Sequence, residues 1–64
     1  MSSNLKEKRI DKRMTQRELS EKASISRPYL NKIENGKAVP STTVALELAR
    51  ALECSVEELF SVKL

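Results

Sequence analysis

The stretch Thr15–Gly36, TQRELSEKASISRPYLNKIENG, constrains this chain more than any other. It holds two helix starts and a helix stop within 22 residues. Thr15 is followed three residues later by Glu18, the Thr-x-x-Glu spacing of a capping box, so a helix is expected to open there. Ser26 can cap a second helix, and Pro28 falls in its first turn, where a missing N–H costs little. The N–H of Tyr29 is then the one available to the Ser26 hydroxyl. Asn35-Gly36 ends that helix, since glycine enters the left-handed region without a Cβ penalty. Two short helices joined by a tight turn, over about residues 16–35, is the expected arrangement.

The second of these helices has two unlike faces. At 3.6 residues per turn, Leu30 and Ile33 share one side. Arg27, Pro28, Asn31, Lys32 and Asn35 share the other. That outer face carries two cations and two amides, with no carboxylate and no large apolar side chain. Solvated faces ordinarily mix both signs of charge. A face of cations and amides suits an anionic surface rich in hydrogen-bond acceptors, as a recognition helix in a DNA major groove requires.

The charge distribution agrees. Ten basic and five acidic residues lie up to Lys37, against two basic and four acidic after it, so the net +3 is concentrated around the two helices. Basic charge clustered in this way is the electrostatic footprint of nucleic-acid binding.

The rest of the chain reads as further helices. With 64 residues, one glycine and two prolines, a single small all-α domain spanning residues 1–64 is expected. Met1–Ser3 are expected to fray. Asn4 or Ser3 caps a first helix reaching about Lys12, with Leu5 and Ile10 on its buried side. Arg9 projects between them and needs a carboxylate if it is to be buried. Glu34, beside Ile33, poses the converse problem, and an Arg9–Glu34 ion pair solves both.

Met14 is expected to plug the core, Leu19 and Ala23 to face it, and Ser20 to permit close helix approach. Ser41 or Thr42 opens a fourth helix to about Leu52, with Ala45, Leu48, Ala49 and Leu52 as its apolar stripe. Ser55 and Glu58 form a second capping box for a last helix carrying Val56, Leu59 and Phe60. A compact five-helix bundle is the expected architecture.

Several function classes find no support. With no histidine, acid–base catalysis near neutral pH needs a strongly shifted Glu or Lys, and no pattern points to one. A single cysteine without histidine fits no common zinc pattern, and Cys54 is expected to be a small packed side chain. No glycine-rich phosphate loop or membrane-length apolar run is present. A non-enzymatic protein without metal or cofactor, not membrane-bound and cytoplasmic by default, is expected. The acidic residues are expected to pair with neighbouring cations at helical spacing, as Glu18 with Lys22.

Thr15-Gln16, Glu18-Leu19, Ala23, Ile25-Ser26, Leu30, Ile33-Glu34 and Asn35-Gly36-Lys37 together resemble the helix-turn-helix of the phage repressor and Cro (Xre-like) family. The resemblance extends from Leu5 to Phe60. It implies a phage-repressor-like DNA-binding domain acting as a transcriptional regulator, a repressor in the first instance, and a homodimer on a palindromic operator. It also implies the Arg9–Glu34 pair.

Arg27, Pro28, Asn31 and Lys32 are then expected to contact bases. Asn31 has adenine or a phosphate open to it, and Pro28 a thymine methyl. Gln16 and Lys37 stand at positions that contact phosphate in the family. Tyr29 and Asn35 are expected to join them there. Two positions depart from the family pattern. Ser24 and Glu53 stand where it commonly has glycine, so each is expected in a left-handed conformation. Val62 and Leu64 are candidates for a dimer contact. An effector domain or partner protein beyond this stretch is left open. The alternative reading is a helical protein-interaction module, such as an antitoxin; it calls for aromatic or aliphatic anchors on the outer face, where only Tyr29 stands, at the edge.

Overall fold

Local capping chemistry starts four of the five helices. The structure, a computed structural model, describes residues 2–61, and its helices are α1 (Leu5–Asp11), α2 (Gln16–Lys22), α3 (Arg27–Glu34), α4 (Thr42–Ala51) and α5 (Val56–Leu59). Thr15 and Glu18 close the expected box at α2, with the Glu18 backbone N–H donating to Thr15 Oγ1 at 3.0 Å and the Thr15 N–H to Glu18 Oε1 at 3.1 Å. Glu18 is thus spent on the cap rather than on Lys22; the helical ion pairs found are Arg17–Glu21 and Glu47–Arg50.

Ser26 and Ser41 accept from the N–H groups of Tyr29 and Val44, each at 3.2 Å. Ser55 and Glu58 form the second box. The Ser55 backbone N–H, and after it the Ser55 hydroxyl and Lys8, hold the Glu58 carboxyl below its ordinary range. At α1 the Asn4 side chain makes no cap, and Ser3 Oγ accepts the Leu5 N–H instead at 3.2 Å.

The four longer helices all end the same way. After each last turn one residue takes a left-handed conformation: Arg13 (φ 56°), Ser24 (57°), Gly36 (70°) and Glu53 (55°). Its N–H, and that of the next residue, bond back to two carbonyls of the last turn, as in Arg13→Ile10 and Met14→Arg9, or Glu53→Arg50 and Cys54→Ala49. This is the Schellman closure, which satisfies carbonyls that would otherwise lack partners. Only one of the four positions is glycine. Ser24 and Glu53 are left-handed as expected; Arg13 carries no sequence signal of it.

Ser24→Gly and Glu53→Gly are each expected to stabilise by about 1 kcal/mol, because glycine takes this conformation without the Cβ clash. At Glu53 removing a carboxylate from the negative end of α4 adds to the gain. The Lys12–Glu53 pair lost with it, 3.9 Å apart and exposed at both ends, offsets little. Thermal melts measure the gain, and a clear fall in Tm for either variant contradicts it.

The core is built from Leu5, Leu19, Leu30, Ile33, Leu48, Leu52 and Leu59, all fully buried, with Ala23, Ala45, Ala49 and Phe60. α2 packs on α3 and α4, α1 on α3, and α4 on α5. Ser20 is buried at these contacts, with its hydroxyl donating to Arg17 O. Met14 and Cys54 pack against the core from its margin, and burial followed by the Glu58 charge pushes the Cys54 thiol pKa up.

Three further expectations fail. Ile10 is 54% exposed. It stands about 140° around the helix from Leu5, whereas Arg9 stands about 40° from it, so Arg9 takes the inward place. Phe60 leaves α5 with φ −131° and ψ 123°. It enters a two-residue strand, β2 (Phe60–Ser61), antiparallel to β1 (Ser2–Ser3). Ser2 and Ser3 are therefore paired rather than frayed, and the Asn4 N–H donates to Leu59 O at 2.8 Å just beyond. Met1, Val62 and Leu64 lie outside the described residues.

Candidate nucleic-acid interface

α3 is held from beneath by one ionic cluster. Glu34, its last residue, turns a side chain only 1% exposed toward α1. Arg9, 12% exposed, meets it with two parallel bonds, Nε to Oε2 at 2.8 Å and Nη2 to Oε1 at 3.2 Å. Such a planar fork fixes orientation as well as distance. Arg9 Nη1 donates further to Met14 O at 2.9 Å, and Gln16 Nε2 donates to Glu34 Oε1 at 3.1 Å.

Both buried charges thereby have partners, and among the described residues no buried side-chain nitrogen or oxygen lacks one. The cluster ties α1, the link after it, the start of α2 and the end of α3 into one frame. Gln16, expected at a phosphate, has one amide hydrogen committed to Glu34. That link joins residues 18 positions apart and is not visible in either local sequence.

The turn between α2 and α3 runs through left-handed Ser24, with the Ile25 N–H closing on Ser20 O at 3.0 Å. It sends the chain to Ser26, whose cap starts α3. Leu30 and Ile33 point inward, fully buried, and Tyr29 packs at the margin of the core. Arg27, Pro28, Asn31, Lys32 and Asn35 are all exposed on the opposite side.

Lys37 follows Gly36, also exposed, with its backbone N–H bonded to Lys32 O at 2.8 Å. Among the described residues Arg27, Lys32 and Lys37 enter no ion pair, whereas Lys8, Arg9, Lys12, Arg17 and Arg50 each do. Their charge is uncompensated within the fold.

One arrangement on this face went unread in the sequence. Asn35 Nδ2 donates to Asn31 O at 2.9 Å and to Asn31 Oδ1 at 3.0 Å. Asn35, expected at a phosphate, has its side-chain nitrogen turned onto its neighbour. The available signal was the i,i+4 spacing of two amides.

A helix and turn of this shape recur in known proteins. The family described as helix-turn-helix matches residues 5–59. An uncharacterised HTH-type transcriptional regulator of Mycobacterium tuberculosis is 34% identical over 58 residues, covering 91% of this chain and 41% of the relative. The chain thus spans about two fifths of that relative's length. An uncharacterised HTH-type transcriptional regulator of Archaeoglobus fulgidus is 35% identical over 60 residues, covering 94% and 86%.

Among solved structures, the restriction-modification controller protein C.AhdI from Aeromonas hydrophila superposes with a TM-score of 0.84 at 33% identity, over 89% of this chain and 86% of that one. The clp gene regulator ClgR from Corynebacterium glutamicum gives 0.80 at 35% identity, over 84% and 57%. With the capped pair α2–α3, the Arg9–Glu34 clamp behind it and a family match running from Leu5 to Leu59, this chain belongs to the helix-turn-helix family of Cro/C1 type.

Proposed function

We propose that this chain binds double-stranded DNA through α3 and regulates transcription, as a repressor in the first instance. The observation that carries the reading is the division of α3. Its apolar residues Leu30 and Ile33 are buried, while Arg27, Pro28, Asn31 and Lys32 stand exposed with no carboxylate among them. Arg27 and Lys32 read base edges, and Pro28 offers only apolar contact. Asn31 lies in the same row.

Gln16, Tyr29 and Lys37 flank the row and hold phosphates, which sets register without reading sequence. Gln16 keeps one Nε2 hydrogen and its position beside α3 for that contact. Asn35 acts through Asn31 rather than on the backbone. The three assigned flanks and the reading face belong to one domain. A two-fold dimer on a palindrome follows from the same reading, because a repeated half-site matches a repeated recognition helix. No catalytic step and no cofactor enters this reading. No described helix is long and apolar enough to cross a membrane.

Selection of bound duplexes from random DNA tests the proposal. A recovered consensus with two inverted half-sites supports both specificity and dimerisation. A consensus with one half-site keeps the reading and removes the dimer. No enrichment, with binding insensitive to salt, moves the function to a protein partner.

Lys37→Ala is expected to weaken specific and non-specific binding alike. It lowers the slope of log K against log salt by about one unit, the loss of one phosphate contact. An unchanged slope removes Lys37 from the backbone set.

A further inference from the structure

We propose that Asn35 fixes which way the Asn31 amide faces, and so makes Asn31 a reader of acceptor groups, guanine above all, rather than of adenine. This rests on the DNA-binding reading of α3 and goes beyond it, since the exposed row alone leaves Asn31 free to present either end.

The orientation follows from what each atom can do. The Asn31 backbone carbonyl only accepts, and Asn35 lies 2.9 Å from it. The Asn35 amide must therefore place its nitrogen there, because its oxygen has no hydrogen to give. That same nitrogen lies 3.0 Å from the end of the Asn31 side chain. Facing a donor, Asn31 turns its oxygen toward Asn35, and its own NH2 is left pointing away from Asn35.

The Asn35 backbone N–H also donates to Asn31 O, at 3.1 Å, so the clamp has a fixed base. Its i,i+4 spacing places the two side chains one turn apart on the exposed face that carries Arg27 and Lys32.

Recognition of adenine by an amide needs both ends of it: the oxygen accepts from N6 while the nitrogen donates to N7. In this chain one lone pair of the Asn31 oxygen is already taken by the Asn35 donor, whereas neither hydrogen of its NH2 is engaged by a described residue, which biases the amide toward donating. Both N–H donors are open. These match the O6 and N7 acceptors that guanine presents in the major groove. Asn35 is thus a positioning residue, which sets specificity without touching the base. The device differs from the Arg27 and Lys32 contacts, whose donor character is intrinsic.

The test compares the wild type with Asn31→Ala and Asn35→Ala on the selected duplex and its single-base variants. Both side chains are exposed, so neither substitution opens the core, and a melt confirms that each variant stays folded. Asn31→Ala identifies the base pair that Asn31 faces, as the one position where discrimination falls. At that pair the wild type is expected to prefer guanine.

Asn35→Ala releases the amide. The preference for guanine over adenine at the same pair is expected to fall about tenfold, on the order of one bidentate contact's discrimination, while preferences elsewhere stay. Three results overturn the proposal with DNA binding intact. The wild type prefers adenine at that pair; or Asn35→Ala leaves the preference unchanged; or Asn31→Ala weakens all duplexes equally, which makes Asn31 a phosphate contact. A wild type that selects no sequence overturns the DNA reading itself, and this inference falls with it.

Discussion

Arg9→Ala and Glu34→Ala are each expected to destabilise the chain by about 3–5 kcal/mol, and the double variant by far less than their sum. The two side chains are 12% and 1% exposed and share two parallel hydrogen bonds. Removing either leaves the other charged, buried and partly unpaired. Glu34→Ala also releases Gln16 Nε2, and Arg9→Ala strands Met14 O. Removing both leaves a neutral gap rather than an orphaned charge.

The magnitude matters because a chain of this size is stabilised by only about 3–10 kcal/mol in total. Each single variant thus approaches the limit of folding. Urea melts at low temperature, followed by circular dichroism, measure all three proteins on one scale. A double variant that folds where either single variant does not is the strongest form of the expected result. Additive losses contradict the pair.

Arg27→Ala and Lys32→Ala are expected to cost about 1–3 kcal/mol on the preferred duplex and to relax the choice at one base pair each. Arg and Lys pair best with guanine O6 and N7, so at least one guanine is expected in each half-site. These side chains are exposed and unpaired within the described fold, so their removal leaves stability nearly unchanged. A loss of affinity without a loss of Tm then reports the interface and not the fold.

Titrations on single-base variants at two salt concentrations separate readers from holders. Readers change the ranking of duplexes, whereas phosphate contacts lower all of them together. If both variants keep the wild-type base ranking, α3 is not the reading helix, and a protein-interaction role gains support.

Much of this architecture was legible because its determinants are local. Thr15 with Glu18, Ser26 with Tyr29, and Ser55 with Glu58 act across three residues, so the sequence displays both partners of each cap. The stripe Ala45, Leu48, Ala49 and Leu52 is buried as its spacing requires, for the same reason. The Arg9–Glu34 pair spans 25 residues, yet chemistry made it legible: two charges on inward faces need one another.

Ile10 was misread because it is apolar and near Leu5 in sequence. The angle around the helix, not apolarity, decides which residue enters the core. The Asn31 and Asn35 amides both stand on the outer face, as their spacing requires, but the bond between them is an addition of the structure. Their four-residue spacing allowed the bond between them without requiring it.

By itself, then, the sequence determined where helices begin, which faces are apolar, and which basic face is left exposed, since each follows from neighbours within one or two turns. Tertiary structure alone decided the rest. β1 meets β2 only because the bundle brings residues 2–3 beside residues 60–61. Gln16 meets Glu34 only because α2 and α3 are packed at the angle that left-handed Ser24 permits. Arg13 takes the same conformation in the closure of α1, with no glycine there to mark it in the sequence. In each case the deciding partner is distant along the chain or is the backbone itself, and neither leaves a mark in the local pattern of side chains.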